Sequence, residues 1–148
     1  MSPALPGVET FRRAVDPSDC DFLGHMNVSR YLQACSDGMF SLQSDLGLTR
    51  GDMESGRRLS FAVVHIESDF RAEVLAGDVV FLRSSVLAIG TKSATFRHRL
   101  YRAGDGALAF EALFKAVCLD LVARRAAPIP DEVRRGLETL IEEATDAA

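Results

Sequence analysis

The chain has no tryptophan. Its three histidines, two tyrosines and three cysteines leave few side chains able to do covalent or acid–base chemistry. The cysteines, Cys20, Cys35 and Cys118, are odd in number and unpaired in spacing. That excludes a disulfide framework and a zinc ribbon, and Cys35 and Cys118 read as small buried hydrophobes. No apolar run approaches the roughly 20 residues of a membrane span, so no membrane partner is expected. Met1 to Gly7 lacks the basic segment and apolar stretch of a secretory signal, and the expected location is cytoplasmic. A Gly-rich phosphate loop of the Walker or dinucleotide type is also missing.

Charge is unevenly spread. From Asp131 onward six acids face two bases, which accounts for the net charge of −4 and leaves the rest neutral. Between Arg83 and Arg125 eight bases face three acids. That local surplus suits a small phosphorylated ligand, with Arg97, Arg99 and Arg102 as candidate phosphate contacts. A solvated strand face is the competing reading. The surplus is too small, and too poor in interleaved aromatics, for a nucleic-acid partner.

Periodicity orders the chain. Val8 to Val15 reads as a strand. Val28, Tyr31, Leu32, Cys35, Met39, Leu42 and Leu46 recur at spacings of three and four, one face of a long helix that Gly47 stops. Thr49 to Gly56 reads as a polar loop. From Leu59 the period switches to two with both sets apolar, so that strand is either buried on both faces or lies at an interface. Val79 to Ile89, Ser93 to Arg102 and Ala107 to Leu121 follow as strands joined by hairpin-like turns. After Pro128 and Pro130, Asp131 to Glu143 reads as an acidic amphipathic helix. The pattern predicts one α+β domain over residues 1–148, with a core of about 8–130 and an acidic tail at 131–148. Its antiparallel sheet curves around one apolar helix. Its edges suggest pairing with another copy.

The chemistry concentrates in Asp19-Cys20-Asp21-Phe22-Leu23-Gly24-His25-Met26-Asn27, just before that helix. A helix start leaves backbone N–H groups unpaired, ready to hold a developing negative charge. Asp21 in a partly desolvated place gains basicity and becomes a candidate base. Its competing role is a turn cap. His25 is a candidate for orienting water or polarising a carbonyl, or else for holding loop backbone. Asn27 is a helix cap, with a substrate contact as the lesser reading. Asp19 is expected to be structural, pairing with a nearby base or a backbone donor. Cys20 lies between two carboxylates, which disfavour the thiolate a nucleophile needs. Two carboxylates, a thiol and an imidazole in one loop form a mixed hard and soft set that suits no particular metal. Together these groups point to acyl transfer to water.

Asp19-Cys20-Asp21-x-x-Gly24, with Asn27 and Tyr31 at the helix start, resembles the 4-hydroxybenzoyl-CoA thioesterase branch of the hotdog-fold acyl-CoA thioesterases. Gly24-His25-Met26-Asn27 is similar to that fold's GHVN variant. Ile66 to Phe70, followed by Gly77-Asp78-Val79, is similar to its second strand and Gly-Asp turn. The resemblance implies a five-stranded antiparallel sheet around one long helix, plus the C-terminal helix. It implies homodimers or homotetramers with sites between subunits, and hydrolysis of an acyl-CoA or acyl carrier protein thioester. No cofactor is implied, since coenzyme A belongs to the substrate. Asp21 takes the place of the family's catalytic carboxylate, as base or nucleophile, and the Val28 N–H that of the oxyanion donor. Asn27 and Tyr31 fall at substrate contacts. Asp37 on the helix is the reserve acid, because some hotdog thioesterases use one there. The plant acyl-ACP arrangement Asp-x-Asn-x-His is matched at Asp21 and His25 and broken at Leu23. A hotdog hydratase or dehydratase, and a non-catalytic acyl-CoA-binding protein, remain the alternatives.

Overall fold

The computed structural model describes residues 4–142. Helix α1, Val28–Asp45, carries Tyr31, Ala34, Cys35, Met39 and Leu42 on one buried face. An antiparallel sheet curls around that face in the order β1 (Val8–Ala14), β3 (Val79–Ile89), β4 (Ser93–Arg102), β5 (Leu108–Asp120), β2 (Leu59–Phe70). Leu82, Phe96, Leu100, Phe110 and Phe114 supply the sheet side of the core. This is the hotdog arrangement of the α+β class. A sixth, two-residue strand, β6 (Arg125–Ala126), pairs with β5 and corrects the expected five.

The close fit of helix to sheet depends on Gly38. A Cβ there would come within 2.6 Å of the Leu82 side chain and 2.8 Å of Thr10 Oγ1. Gln43, buried in the last turn of the helix, accepts at 2.9 Å from both the Phe61 N–H and the Ser60 hydroxyl. It thereby ties α1 to the start of β2.

Two boundaries, those of the polar loop and the C-terminal helix, differ from expectation. The stretch read as a polar loop contains a short helix, α2 (Arg50–Ser55), capped by Thr49. The two-sided apolar strand β2 is an edge of this sheet, and its Val63, Val64, Ile66 and Phe70 are exposed. The C-terminal helix α3 spans only Asp131–Glu138, with Val133 and Leu137 sealed in the core. Beyond it the chain straightens and pairs with β3: Val86 N–H donates to Leu140 O and Glu142 N–H to Val86 O, both at 2.9 Å. The cause is an open edge. β1 runs along β3 only as far as the pair Val8 and Ser84, so the residues after Ser84 have free backbone groups that a neighbouring segment satisfies. Glu143, where the helix was expected to end, lies outside the described residues.

Candidate active site

The Asp19–Asn27 loop is held shut by its own backbone. Asp16 caps a single 3-10 turn, Pro17–Asp19, and Asp19 returns the bond to the Asp16 N–H at 2.9 Å. Asp19 is buried and pairs with Arg13 at 2.9 Å and Arg30 at 3.3 Å, so its role is structural. The Cys20 thiol points back to the Asp16 carbonyl at 3.9 Å. Cys20 and Met26 then bridge, and Asp21 to Gly24 closes a tight turn, with Gly24 N–H donating to Asp21 O at 3.0 Å. Gly24 has φ +85°, a left-handed conformation that glycine adopts without the Cβ clash of other residues.

At the base of this turn the Asp21 carboxylate accepts from the Leu23 N–H at 2.8 Å and from the Asn27 amide at 3.0 Å. Asn27 uses its other end to cap α1, accepting from the Ser29 N–H at 3.0 Å and the Ser29 hydroxyl at 2.7 Å. One amide thus starts the helix and fixes the acid. These bonds, the Leu23 N–H first and Asn27 second, hold Asp21 below the usual carboxylate range. That corrects the expectation of a carboxyl made more basic by desolvation. Asp21 is instead a fixed anion, because donors aimed at the charged form outweigh burial.

Arg30 N–H returns to the Asn27 carbonyl, whereas the Val28 N–H has no acceptor within the described residues. Such an N–H is the type of donor an oxyanion needs. Beside it opens a pocket of about 360 Å³ lined by His25, Met26, Val28, Tyr31, Phe70, Arg71, Ala72 and Glu73. Its floor is aromatic. The Tyr31 ring stands edge-on to Phe70 and tilted against Phe110, both with centroids 5.0 Å away. Asp21 is half-buried next to this pocket and is not among the residues that line it.

His25 Nδ1 lies 3.2 Å from the Glu73 carboxylate. Glu73 escaped sequence reading because nothing in Arg71-Ala72-Glu73 distinguishes it locally. Its significance comes from a partner 48 residues away. Asp37 is on the exposed side of α1 and accepts from Gln33 at 3.4 Å. It stands nine residues beyond Val28, roughly 14 Å along the axis at 1.5 Å per residue, so a single chain does not bring the reserve acid to the loop.

The arginines do not form the expected phosphate clamp. Arg97 and Arg99 are engaged by Glu142 at 3.6 and 2.5 Å, on the outer face of the sheet. A carboxylate from the C-terminal segment therefore already fills the place where a phosphate was expected. Arg102 lies nearer the loop. It binds Asp105 at 2.6 Å and donates to the Glu73 carbonyl at 2.7 Å, steadying the segment that carries the partner of His25.

Comparison with known proteins agrees with this geometry. The chain is 32% identical to the betainyl-CoA thioesterase of Pseudomonas aeruginosa over 90% of its own length and 83% of the relative. It is 24% identical to the long-chain acyl-CoA thioesterase FadM of Escherichia coli, over 82% and 90% of the two chains. The fold superposes on the Staphylococcus aureus protein SAV2348, solved in complex with CoA, with a TM-score of 0.84 at 18% identity, covering 97% and 92% of the two chains. The family model described as the Thioesterase-like superfamily matches residues 15–137, a span that includes the loop, the helix and the whole curled sheet except β1, and the chain belongs to that superfamily.

Proposed function

We propose that this protein is a thioesterase that hydrolyses an acyl-CoA, or an acyl group on acyl carrier protein, to the free acid and the thiol. The carrying observation is the unpaired Val28 N–H at an apolar pocket, one residue after the Asn27 that fixes an anionic Asp21. Supporting it are the names of the relatives, both CoA-thioester hydrolases, and a structural neighbour solved with CoA bound.

In this reading the thioester carbonyl lies over the start of α1, and its oxygen takes the Val28 N–H as charge develops there. Asp21 either deprotonates the attacking water or adds through its own oxygen to the carbonyl carbon. In the second route the C–S bond breaks to give thiolate and a mixed anhydride, which water then opens to the acid. The position of Asp21 is fixed by Asn27, so its geometry is set before substrate arrives. His25, oriented by Glu73, presents its other ring nitrogen to the incoming water or the departing sulfur. Met26, Val28, Tyr31 and Phe70 receive the acyl group. No cofactor enters, coenzyme A being carried by the substrate.

The working unit in this reading is a homodimer or homotetramer in the cytoplasm. The exposed apolar edge of β2 calls for a second strand. Phe22 and Leu23, exposed at the tip of the loop beside Asp21, await a surface to cover them. A second chain there would close the site over Asp21. No described helix is long and apolar enough to cross a membrane, and nucleic acid has no part in the reading.

The test is a thiol-release screen across short, long and aromatic acyl-CoAs. Turnover well above the uncatalysed rate is expected for at least one class. Saturable binding without release would mean a non-catalytic acyl-CoA-binding protein, and a modified acyl chain with the thioester intact would mean a hydratase or dehydratase.

A further inference from the structure

We infer that the segment Leu140–Glu142 is a latch on the open edge of β3, locked by the Glu142 carboxylate, and that its release exposes that edge to a second copy of this chain. The inference is independent of the thioesterase reading, since no residue of the latch lines the pocket beside Val28.

The edge needs a cover. Beyond Ser84, β1 no longer pairs with β3. The chain there runs Ser85-Val86-Leu87-Ala88-Ile89, with neither a charge nor a proline. An apolar, uncharged open edge is a template for another strand. The segment before β1 does not cover it. That segment is tied to the Arg83 side chain, which donates to the carbonyls of Leu5, Pro6 and Gly7. Leu140–Glu142 takes the place instead. A cavity of about 470 Å³, lined by Arg99 and by residues of both segments, leaves one flank of this cover unpacked.

The cover is held unevenly. Its near end is anchored, because Val133 and Leu137 of α3 are sealed in the core and Arg134 donates to the Gly90 carbonyl at 2.7 Å. Ile141 is exposed. The far end rests on Glu142, whose carboxylate accepts from the Ser85 hydroxyl and from Arg99 and pairs with Arg97 at 3.6 Å. Burial is the largest influence on this carboxyl and pushes its pKa up. Arg99, Ser85 and Arg97 together outweigh burial and hold it below the usual range. Without the charge the balance reverses. A neutral group would leave two partly buried guanidiniums without their carboxylate, so the closed position becomes unfavourable. The cover therefore has two discrete positions, and one carboxylate chooses between them.

The experiment measures backbone hydrogen exchange and sedimentation on the full chain and on Glu142→Gln, which keeps the shape and removes the charge. In the parent the Val86 N–H donates to Leu140 O and the Glu142 N–H to Val86 O, both at 2.9 Å. The variant is expected to exchange both amides about tenfold faster or more. The stretch of β3 paired to β1 should exchange as slowly as before, and the melting temperature should shift little. Sedimentation should show association beyond that of the parent, with protection of Val86 returning as concentration rises. Arg97→Ala and Arg99→Ala each leave the carboxylate one guanidinium and should stay latched. Unchanged exchange in Glu142→Gln would mean that backbone and Leu140 hold the cover alone, and would overturn the latch. Faster exchange without added association would overturn the second copy as occupant of the edge. An unfolded Glu142→Gln would overturn the inference as well, because a latch opens without unfolding what it covers.

Discussion

Two hydrogen-bonded chains of polar side chains cross this molecule, and they differ in one respect. The first joins Asp21, Asn27 and Ser29 at the start of α1, with His25 and Glu73 alongside. The second runs through the core from Thr10 to Ser84 to His98, each link 2.7 Å. Both contain hydroxyls, and each has an imidazole held by its Nδ1. The first lies beside a pocket that His25 and Glu73 line. The second is sealed beneath α1, and His98 Nε2 has no hydrogen-bond partner among the described residues. Access, more than residue type, separates the candidate reactive constellation from the structural one here. A buried chain of this kind fixes the register of β1, β3 and β4, because only one alignment satisfies it.

Removing the charge of Asp21 is the strongest way to test the contrast. Asp21→Asn should lower kcat by about a hundred- to ten-thousandfold, the range for a lost acid–base group, with an unchanged melting temperature. A folded variant with full activity would end the assigned role. Single turnover in ¹⁸O-labelled water tests the anhydride route. Label appearing in the Asp21 carboxylate requires the anhydride, opened by water at the Asp21 carbonyl, whereas label in product alone follows from direct attack by water or from opening at the acyl carbonyl.

The sealed chain should respond to acid rather than to substrate. Burial pushes His98 down to about 4 from its ordinary 6.5, so below pH 6.5 the unfolded chain takes up a proton that the folded one refuses. Its contribution to stability is complete above pH 6.5 and is lost progressively as pH falls toward 4, by up to roughly 3 kcal/mol over that interval. The melting temperature of the protein should fall across this range. His98→Gln, which does not titrate, should show a shallower fall. Parallel curves for the two proteins would disprove the linkage.

The difference between the two chains was only partly legible in the sequence. Strand and helix alternation carried the fold, because Val79–Ile89 and Ser93–Arg102 alternate cleanly and the α1 stripe keeps its spacing for five turns. The acid, the cap and the helix start were legible because they are neighbours in sequence. Glu73 was not, nor was the sealed chain from Thr10 through Ser84 to His98, since both depend on what the fold brings near. The carboxylate partners of the β4 arginines were out of reach for the same reason. A strand face rich in Arg looks alike whether it awaits a phosphate or is already matched by Glu142 from the far end of the chain.

Asn27 belongs to both helix and site, and its replacement should move stability and rate together. Asn27→Ala removes the cap and frees one oxygen of Asp21, so a loss of about 1 kcal/mol should accompany roughly a tenfold fall in kcat. Asn27→Asp separates the two effects. It keeps the cap but sets a second carboxylate against Asp21, so stability should recover by more than half while activity stays low. If activity recovered with stability, Asn27 would matter only as a helix cap.

The smallest effect is expected on the outer face, and it bears on the question of access most directly. Arg97→Ala and Arg99→Ala each leave part of the Glu142 contact in place. They should cost under about 1 kcal/mol, as partly exposed ion pairs do, and should leave KM for an acyl-CoA unchanged. Arg102 lies against the Glu73 carbonyl instead, so Arg102→Ala should lower kcat severalfold through a loosened His25 partner. A rise in KM for Arg97→Ala or Arg99→Ala, with little change for Arg102→Ala, would return the phosphate clamp to the outer face and require Glu142 to give way to substrate. The expected pattern, with only Arg102 affecting catalysis, would confine the working surface to the pocket side of the sheet.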